Sequence, residues 1–182
     1  MLIRGINGSP RGERGATMRL VRAVLGGAKE GGAEIEALNL VDYDLRFKNA
    51  CIVCFPGGDC AFTDDFAEMY GRIRAADGLV LDSPVSIDLV SGQMKIPIDL
   101  MADGIRCQSL AGKYGCAVAT SGDHAEKEVA TYLNHVLKMF GATPVGEVAV
   151  AAGKDGAAIG AAEGRVAELG RTLADAVATK RP

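Results

Sequence analysis

Apolar and polar positions along the chain follow two periods, and the shorter period predicts five strands. Residues 33–40 alternate between apolar and polar side chains, as an outer strand with one exposed face would. The run Leu79-Val80-Leu81 is continuously apolar, which is typical of a strand buried on both faces. The predicted strands are residues 2–7, 33–40, 77–83, 113–120 and 144–151.

Between these strands, apolar residues recur at the spacing of a helix. In residues 125–140, for example, Val129, Leu133 and Val136 recur on one face of a helix. The predicted helices are residues 17–29, 63–76, 91–101, 125–140 and 159–178, with Pro97 as a site of irregularity in the third. Alternating strands and helices predict an α/β fold, in which one parallel sheet is covered by helices on both faces. We find no domain boundary, so residues 1–182 are expected to form a single domain.

The loop between the first strand and the first helix carries the first candidate chemistry. Ser9 and Thr17 offer hydroxyl groups there, and Arg11 and Arg14 offer guanidinium groups. The start of a helix also presents free N–H groups and a positive dipole end, which together hold an anion. The loop therefore indicates a phosphate site, although a plain turn with solvated charges is the alternative reading of the same residues.

The residues of this loop exclude three specific kinds of phosphate site. A Walker A loop ends in Gly-Lys-Ser/Thr, whereas this loop ends in Gly15-Ala16-Thr17. The dinucleotide fingerprint G-x-G-x-x-G is not present in the turn. A low-molecular-weight tyrosine phosphatase would place C-x5-R directly after the first strand, and this chain has no cysteine there.

Two further loops are predicted at the same edge of the sheet, because ligands of open α/β sheets bind at the carboxyl ends of the strands. The loop at 84–91 offers an apolar surface for a flat ring, and the loop at 120–124 offers hydroxyl groups and backbone donors. His124 follows the second of these loops and is a candidate ligand contact, whereas His135 is expected to be structural. The candidate residues here are Pro84, Val85, Ser86, Ile87, Thr120, Ser121, Gly122 and His124.

Composition and charge exclude some partners. The 182 residues are 48% hydrophobic, which allows a buried core, and the formal net charge of −3 argues against broad nucleic-acid binding. No apolar run is long enough to predict a membrane span. The first six residues are expected to be a strand, not a signal peptide, so a cytoplasmic location is expected. In that compartment the five cysteines are expected to be thiols, metal ligands or redox groups.

Three stretches of the chain carry a family resemblance: Gly8-Ser9-Pro10-Arg11 with a threonine several residues later, Ser83-Pro84-Val85, and the run 90–95 (Val-Ser-Gly-Gln-Met-Lys). Together they resemble the NADPH-dependent FMN reductase family. Within it, the chain is most similar to the iron–sulfur flavoproteins and their cluster-free relatives. The resemblance covers about residues 1–150. It implies a flavodoxin-like sheet of order 2-1-3-4-5, FMN at the strand ends, and a homodimer or homotetramer.

The resemblance also implies roles for the candidate residues. Ser9, Arg11 and Thr17 would hold the FMN phosphate, with Arg14 as a further cation in the same loop. Residues 84–87 would line the isoalloxazine ring, and residues 120–122 would flank its pyrimidine side. The chain departs from the family in one respect: an aromatic residue and a glycine-containing turn often follow Ser-Pro-Val, whereas this chain has Ser86-Ile87-Asp88.

A cysteine motif lies in the predicted irregular segment 41–63. Cys51, Cys54 and Cys60 form a C-x2-C-x5-C pattern, and thiolates of this kind hold iron–sulfur clusters, usually in sets of four. The iron–sulfur flavoproteins carry an additional cysteine between the second and the last of these positions, which this chain lacks. Cys116 is expected in a buried strand and Cys107 has no spacing that makes it a ligand. An iron–sulfur cluster and free thiols that pack the loop are both left open.

Function follows from the implied cofactor. The first hypothesis is an FMN-dependent oxidoreductase that takes a hydride from NAD(P)H and reduces a small-molecule acceptor, which would be a quinone, a flavin or a metal-bound acceptor. The second is an electron carrier of the iron–sulfur flavoprotein type. A non-catalytic binding module of the same fold is the third, because fold alone does not define function.

Overall fold

The computed structural model describes residues 1–55, 60–153 and 156–180, and these contain six strands and six α-helices. The strands are β1 (Leu2–Asn7), β2 (Glu34–Asn39), β3 (Gly78–Ser86), β4 (Leu89–Val90), β5 (Tyr114–Ser121) and β6 (Thr143–Ala151). The helices are α1 (Ala16–Glu30), α2 (Phe66–Ala75), α3 (Gly92–Leu100), α4 (Asp103–Cys107), α5 (Glu126–Met139) and α6 (Ala157–Thr179). Short 3₁₀ turns span Gly12–Arg14 and Leu40–Asp42.

The five long strands form a parallel sheet in the order β2-β1-β3-β5-β6. This order confirms the predicted flavodoxin-like topology, since the third, fourth and fifth predicted strands are β3, β5 and β6. The two-residue strand β4 pairs antiparallel with the end of β3, where Val85 lies opposite Val90. The topology brings the carboxyl ends of β1, β3 and β5 together at one edge of the sheet.

The core lies on both faces of the sheet, as two separate apolar layers. In β3, Leu79 and Leu81 belong to the layer beneath α2, α3 and α5, whereas Val80 belongs to the layer beneath α1 and α6. Successive strand residues point to opposite faces, so a continuous apolar run supplies both layers. The same alternation places Asp82 on the α1 face, two residues after Val80.

Two glycines bring α1 and α6 into backbone contact. A Cβ built on Gly27 would overlap the carbonyl oxygen of Ala167 and lie 2.7 Å from its carbonyl carbon. A Cβ on Gly170 would overlap the carbonyl oxygen of Val24 in the same way, 2.8 Å from its carbonyl carbon. Each helix therefore contributes one glycine whose missing side chain lets the other helix approach.

Two elements were missed by the sequence pattern, which had predicted a loop at 84–91 and no helix between 101 and 113. The short β4 turns the end of β3 into a hairpin, and α4 is only five residues long. Neither contains enough residues to display a period. Pro97 lies inside α3 at its sixth position, and the irregularity expected there stays a prediction. No helix in the described ranges is long and apolar enough to cross a membrane.

Candidate functional site

A cleft of about 430 Å³ opens where the three predicted loops meet, at the carboxyl ends of β1, β3 and β5. Its volume falls within the range that is ordinary for small-molecule sites. Nine of the predicted site residues line it: Ser9, Arg11, Thr17, Pro84, Val85, Ser86, Thr120, Ser121 and Gly122. The fold therefore brings together residues that are far apart in sequence.

The buried side chain of Asn7, the last residue of β1, holds the first loop in place. Its Oδ1 accepts the N–H of Ser9 at 3.0 Å, and its Nδ2 donates to the carbonyl oxygen of Gly12 at 3.2 Å. The hydroxyl of Ser9 accepts the N–H of Arg11 at 3.2 Å. Gly12 has φ +52°, a backbone conformation that glycine adopts without strain. These bonds hold the loop in a defined shape at the start of α1.

The N-terminus of α1 is open to an anion. Its N-cap residue is Gly15, which provides no side-chain hydrogen bond to the first turn, and that turn contains no acidic residue. A Cβ on Gly15 would overlap the Ser9 hydroxyl and lie 3.0 Å from the Ser9 Cβ, so glycine is required for the loop to fold back on the helix. Arg11 lines the cleft, and its guanidinium makes no hydrogen bond or ion pair within the described residues.

Ser91 ties the second loop to the first, although the predicted site residues did not include it. Its hydroxyl donates to the carbonyl oxygen of Gly8 at 2.5 Å and accepts the N–H of Met94 at 3.2 Å, which makes Ser91 the N-cap of α3. Its own N–H donates to the Ser83 hydroxyl at 2.9 Å. A serine directly before a helix start is a recognised N-cap signal, so the sequence could have shown the capping role.

Ser91→Ala is expected to lower the free energy of unfolding by about 2 kcal/mol, because it removes an N-cap and a buried hydrogen bond worth about 1 kcal/mol each. Urea denaturation followed by circular dichroism measures the change. Ser86→Ala is the control, since Ser86 is exposed and the same change there is expected to stay within about 0.5 kcal/mol. Equal effects of the two substitutions would contradict a role for Ser91 in joining the loops.

The third loop is held by the Ser121 hydroxyl and by two backbone carbonyl oxygens. The Ser121 hydroxyl donates to Glu126 Oε2 at 2.7 Å, and this hydrogen bond lowers the pKa of Glu126. The carbonyl oxygens of Ser121 and Gly122 accept the N–H groups of Ala152 and Gly153 at 2.9 and 3.0 Å. The loop is thereby anchored to the end of β6, and Ala152 joins the cleft lining.

Three predicted site residues lie outside the lining of the cleft. Arg14 is exposed at the end of the 3₁₀ turn, and Ile87 is exposed at the tip of the β3–β4 hairpin. His124 is exposed at the rim, where its Nε2 lies 2.9 Å from Asp88 Oδ1 and its Nδ1 lies 2.5 Å from Asp123 Oδ1. The hydrogen bond with Asp123 and the charges of both carboxylates raise the pKa of His124.

The remaining lining residues were not among the predicted site residues. They are Pro10, Ala16, Ser91, Gly92, Gln93 and Ala152. Pro10 and Ala16 stand inside the predicted phosphate loop, and residues 91–93 belong to the motif that carries the family resemblance. The side chain of Ala152 has no functional group that would mark it as a site residue. It reaches the cleft because β6 pairs with β5.

Asp82 is completely buried in the middle of β3, and neither of its carboxylate oxygens has a hydrogen-bond partner within the described residues. Its backbone carbonyl accepts the N–H of Gly8 at 2.8 Å, directly below the first loop. Burial raises the pKa of the Asp82 carboxyl well above its ordinary value, because the charged form loses its hydration.

The cysteine motif does not assemble a metal centre in the described part of the chain. Cys51 is exposed and Cys54 and Cys60 are partly exposed, and the described residues contain no group of three or more cysteine, histidine or acidic side chains placed to hold a metal ion. Burial, followed by the charge of Asp103, raises the pKa of Cys54. Residues 56–59 of the motif lie outside the described residues. The metal role of these three cysteines therefore stays a prediction.

Cys116, in contrast, lies where the sequence placed it. It is fully buried in β5, and burial raises the pKa of its thiol to about 12. A thiol in this environment stays protonated and behaves as a small core residue.

Comparison with known sequences identifies one family description. The model of NADPH-dependent FMN reductases matches residues 1–157. An iron–sulfur flavoprotein of Archaeoglobus fulgidus is 34% identical over 143 residues, which are 78% of this chain and 64% of that protein. The chain thus spans less than two thirds of this relative's length.

Solved structures resemble the chain in fold. A flavone reductase superposes with a TM-score of 0.77 over 98% of this chain and 63% of its own, at 20% identity. An NAD(P)H:quinone oxidoreductase from Methanothermobacter marburgensis superposes with a TM-score of 0.72 over 95% of this chain and 98% of its own, at 15% identity. At these identities the similarity concerns the arrangement of the sheet and helices alone.

Proposed function

The chain belongs to the NADPH-dependent FMN reductase family, a family of flavoproteins, and from this premise we propose that its cleft binds FMN for an NAD(P)H oxidoreductase activity. The observation that carries the proposal is the convergence of the three loops in one cleft. An uncapped helix N-terminus and a free guanidinium lie at one end of it, and an apolar wall and a polar backbone edge complete it.

The residues present fit the chemical parts of FMN. The phosphate suits Ser9, Arg11 and Thr17, because hydroxyl groups, a guanidinium and the first-turn N–H groups of α1 are anion donors. The apolar ring suits Pro84 and Val85. The polar edge of the ring suits the loop of residues 120–122, which also lines the cleft and stands at the end of β5, on the other side of β3 from β1.

When bound, FMN would supply the centre that takes a hydride from NAD(P)H and passes electrons to a small-molecule acceptor. The protein's own contribution is binding and orientation. Asn7 and Ser91 fix the loops relative to one another through buried hydrogen bonds, so the walls of the cleft are shaped before a ligand arrives. Pre-organisation of this kind reduces the ordering that binding requires.

Purification followed by a visible spectrum, an iron assay and an FMN titration tests this proposal. We expect a flavin spectrum, or one acquired on adding FMN, that NADPH bleaches under anaerobic conditions. A protein that ignores FMN would contradict the proposal. Stoichiometric iron with broad cluster absorption would instead support the electron carrier of the iron–sulfur flavoprotein type.

Arg11→Gln is expected to raise the dissociation constant for FMN about tenfold or more, because a charge-assisted hydrogen bond to phosphate contributes about 1.5–3 kcal/mol. Arg14→Gln is the matched control: it removes the same charge from the same loop at a position outside the cleft lining, and a change below about twofold is expected. Quenching of flavin fluorescence measures both constants. A larger effect at Arg14 than at Arg11 would refute the assignment of the phosphate contact.

A further inference from the structure

Asp82 lies in the layer of side chains directly beneath the floor of the cleft. Along β3, Val80, Asp82 and Pro84 point to the face that α1 covers, because strand residues two apart share a face. Pro84 lines the cleft together with Thr120, its register partner in β5. Asp82 therefore stands two strand residues, or about 7 Å, below the lining.

The neighbours of Asp82 in this layer do not pair with its carboxyl group. Its register partners are Asn7 in β1 and Val118 in β5. The amide of Asn7 is occupied, because its Oδ1 accepts the N–H of Ser9 and its Nδ2 donates to the carbonyl oxygen of Gly12. Val118 is apolar and fully buried. Both carboxylate oxygens of Asp82 thus stay without a partner among the residues that the structure describes.

The elements packed against Asp82 supply no opposite charge to it. Burial alone raises its pKa, with no contribution from a charged side chain of the described residues. β3 and β5 carry no other acidic or basic residue. The charged side chains of α1 and α6 are exposed or pair with one another, as Arg19 does with Glu163. Three further groups belong to β1 and the first loop: Arg4 bonds Glu36, Glu13 pairs with Arg22, and Arg11 lines the cleft above.

The same carboxyl group lies under the part of the cleft that is proposed to take an anion. Gly8 donates its N–H to the carbonyl oxygen of Asp82 at 2.8 Å, and Ser9 and Thr17 follow it in the cleft lining. A carboxylate at this depth would oppose a phosphate above it, since salt screens like charges only weakly when one of them is buried. An uncharged carboxyl group leaves the positive end of α1 to the ligand.

We propose that Asp82 is a specificity-determining residue of the phosphate site: its uncharged form permits the phosphate of FMN to bind, and its ionisation expels that phosphate. The inference rests on the proposed function and adds a proton that is bound together with the cofactor. Ionisation releases this proton to solvent, so the affinity for FMN falls as pH rises. Riboflavin has the same ring and no phosphate, and its affinity is expected not to depend on Asp82.

Asp82→Asn tests the proposal, because asparagine keeps nearly the shape of the carboxyl group and does not ionise. Quenching of flavin fluorescence gives the dissociation constants for FMN and riboflavin from about pH 5 to about pH 9, the range in which buried carboxyl groups titrate. The FMN constant of the unsubstituted protein, divided by that of the variant, is expected to rise about fivefold or more across this range, since one linked proton changes a constant by up to about tenfold per pH unit. The same quotient for riboflavin is expected to change less than about twofold. The second ionisation of the phosphate, near pH 6, acts on both proteins and cancels in the quotient.

Asp42→Asn is the matched control, because it removes an exposed carboxyl group outside the cleft lining. Its quotient with the unsubstituted protein is expected to stay flat for FMN, and circular dichroism at each pH verifies that the proteins are folded. A flat FMN quotient for Asp82→Asn, or an equal rise with riboflavin, would overturn the proposal.

A second measurement does not depend on the folding of the variant. The infrared absorption of a protonated carboxyl group is followed against pH in the unsubstituted protein, with FMN, with riboflavin and with neither. FMN is expected to move the loss of this absorption to higher pH, and riboflavin is expected not to. Titration curves that FMN leaves in place would contradict the linkage between the proton and the phosphate.

The failure of the proposed function is visible separately. If the unsubstituted protein binds no FMN at any pH of the series, both the proposed function and the role of Asp82 fall. If FMN binds and NADPH bleaches it, but the FMN quotient is flat, only the role of Asp82 falls.

Discussion

Gly170→Ala is expected to lower the free energy of unfolding by about 3 kcal/mol, at the upper end of the effects seen for overpacked sites. The added Cβ would overlap the carbonyl oxygen of Val24, which belongs to the backbone of α1 and cannot rotate away. The two helices would have to separate, which would also loosen the apolar layer between them and the sheet. Gly27→Ala is expected to act in the same way against Ala167.

The controls for this prediction lie on the same two helices. A Cβ added at Gly26 or Gly164 would have no heavy atom of another described part of the chain within 4 Å, so alanine fits at both. Because alanine favours a helix over glycine by about 1 kcal/mol, Gly26→Ala and Gly164→Ala are expected to stabilise the protein. Urea denaturation of the four variants measures the contrast. Stabilisation by Gly170→Ala would show that the helix contact is not as close as described.

Asp82→Asn is expected to flatten the pH dependence of stability. The folded protein holds the Asp82 carboxyl protonated to a higher pH than the unfolded chain does, because burial raises its pKa. The stability that this group contributes is therefore fully present below the ordinary aspartate pKa of about 3.9, and it is lost as pH rises toward the folded pKa. Over that window the loss approaches about 1.4 kcal/mol per pH unit.

The amide of asparagine has nearly the shape of the carboxyl and does not titrate. As pH rises above about 4, the variant should become more stable than the unsubstituted protein. The difference between their free energies of unfolding should widen up to the pKa of Asp82 in the folded protein. Urea midpoints at a series of pH values measure this difference. Asp42→Asn removes an exposed carboxyl and should leave the slope unchanged. Parallel curves for the Asp82 variant and the unsubstituted protein would mean that Asp82 is ionised in the fold.

The long elements of the fold were predictable because their apolar periods extend over many residues. α5 was predicted over 125–140 and spans Glu126–Met139, and its apolar face meets the sheet as the spacing requires. The hairpin formed by β3 and β4 was not predictable, because Ile87 and Asp88 are poor residues for its turn. Local preference and the folded structure disagree at that point, and such disagreements concentrate at functional sites.

Those cleft residues that form a recognisable pattern within one short stretch of sequence were predictable. Ser9, Arg11 and Thr17 are recognisable because a hydroxyl-rich and basic loop precedes a helix. Loop composition alone did not separate Arg11 from Arg14, since both stand in the same loop. The family resemblance named Arg11, and in the structure Arg11 lines the cleft whereas Arg14 does not. The absence of a partner for the Asp82 carboxyl was also not predictable, because the sequence does not show which polar groups lie beside a strand residue.

The close approach of α1 and α6 at Gly27 and Gly170 has a consequence for how this chain can diverge. Gly27 lies inside the segment that the family description matches, and Gly170 lies beyond it, in a helix that begins at residue 157 where that match ends. The packing of the matched segment against the helix that follows it therefore depends on a glycine on each side. A larger residue at either position would push the two helices apart, so both positions are expected to remain glycine.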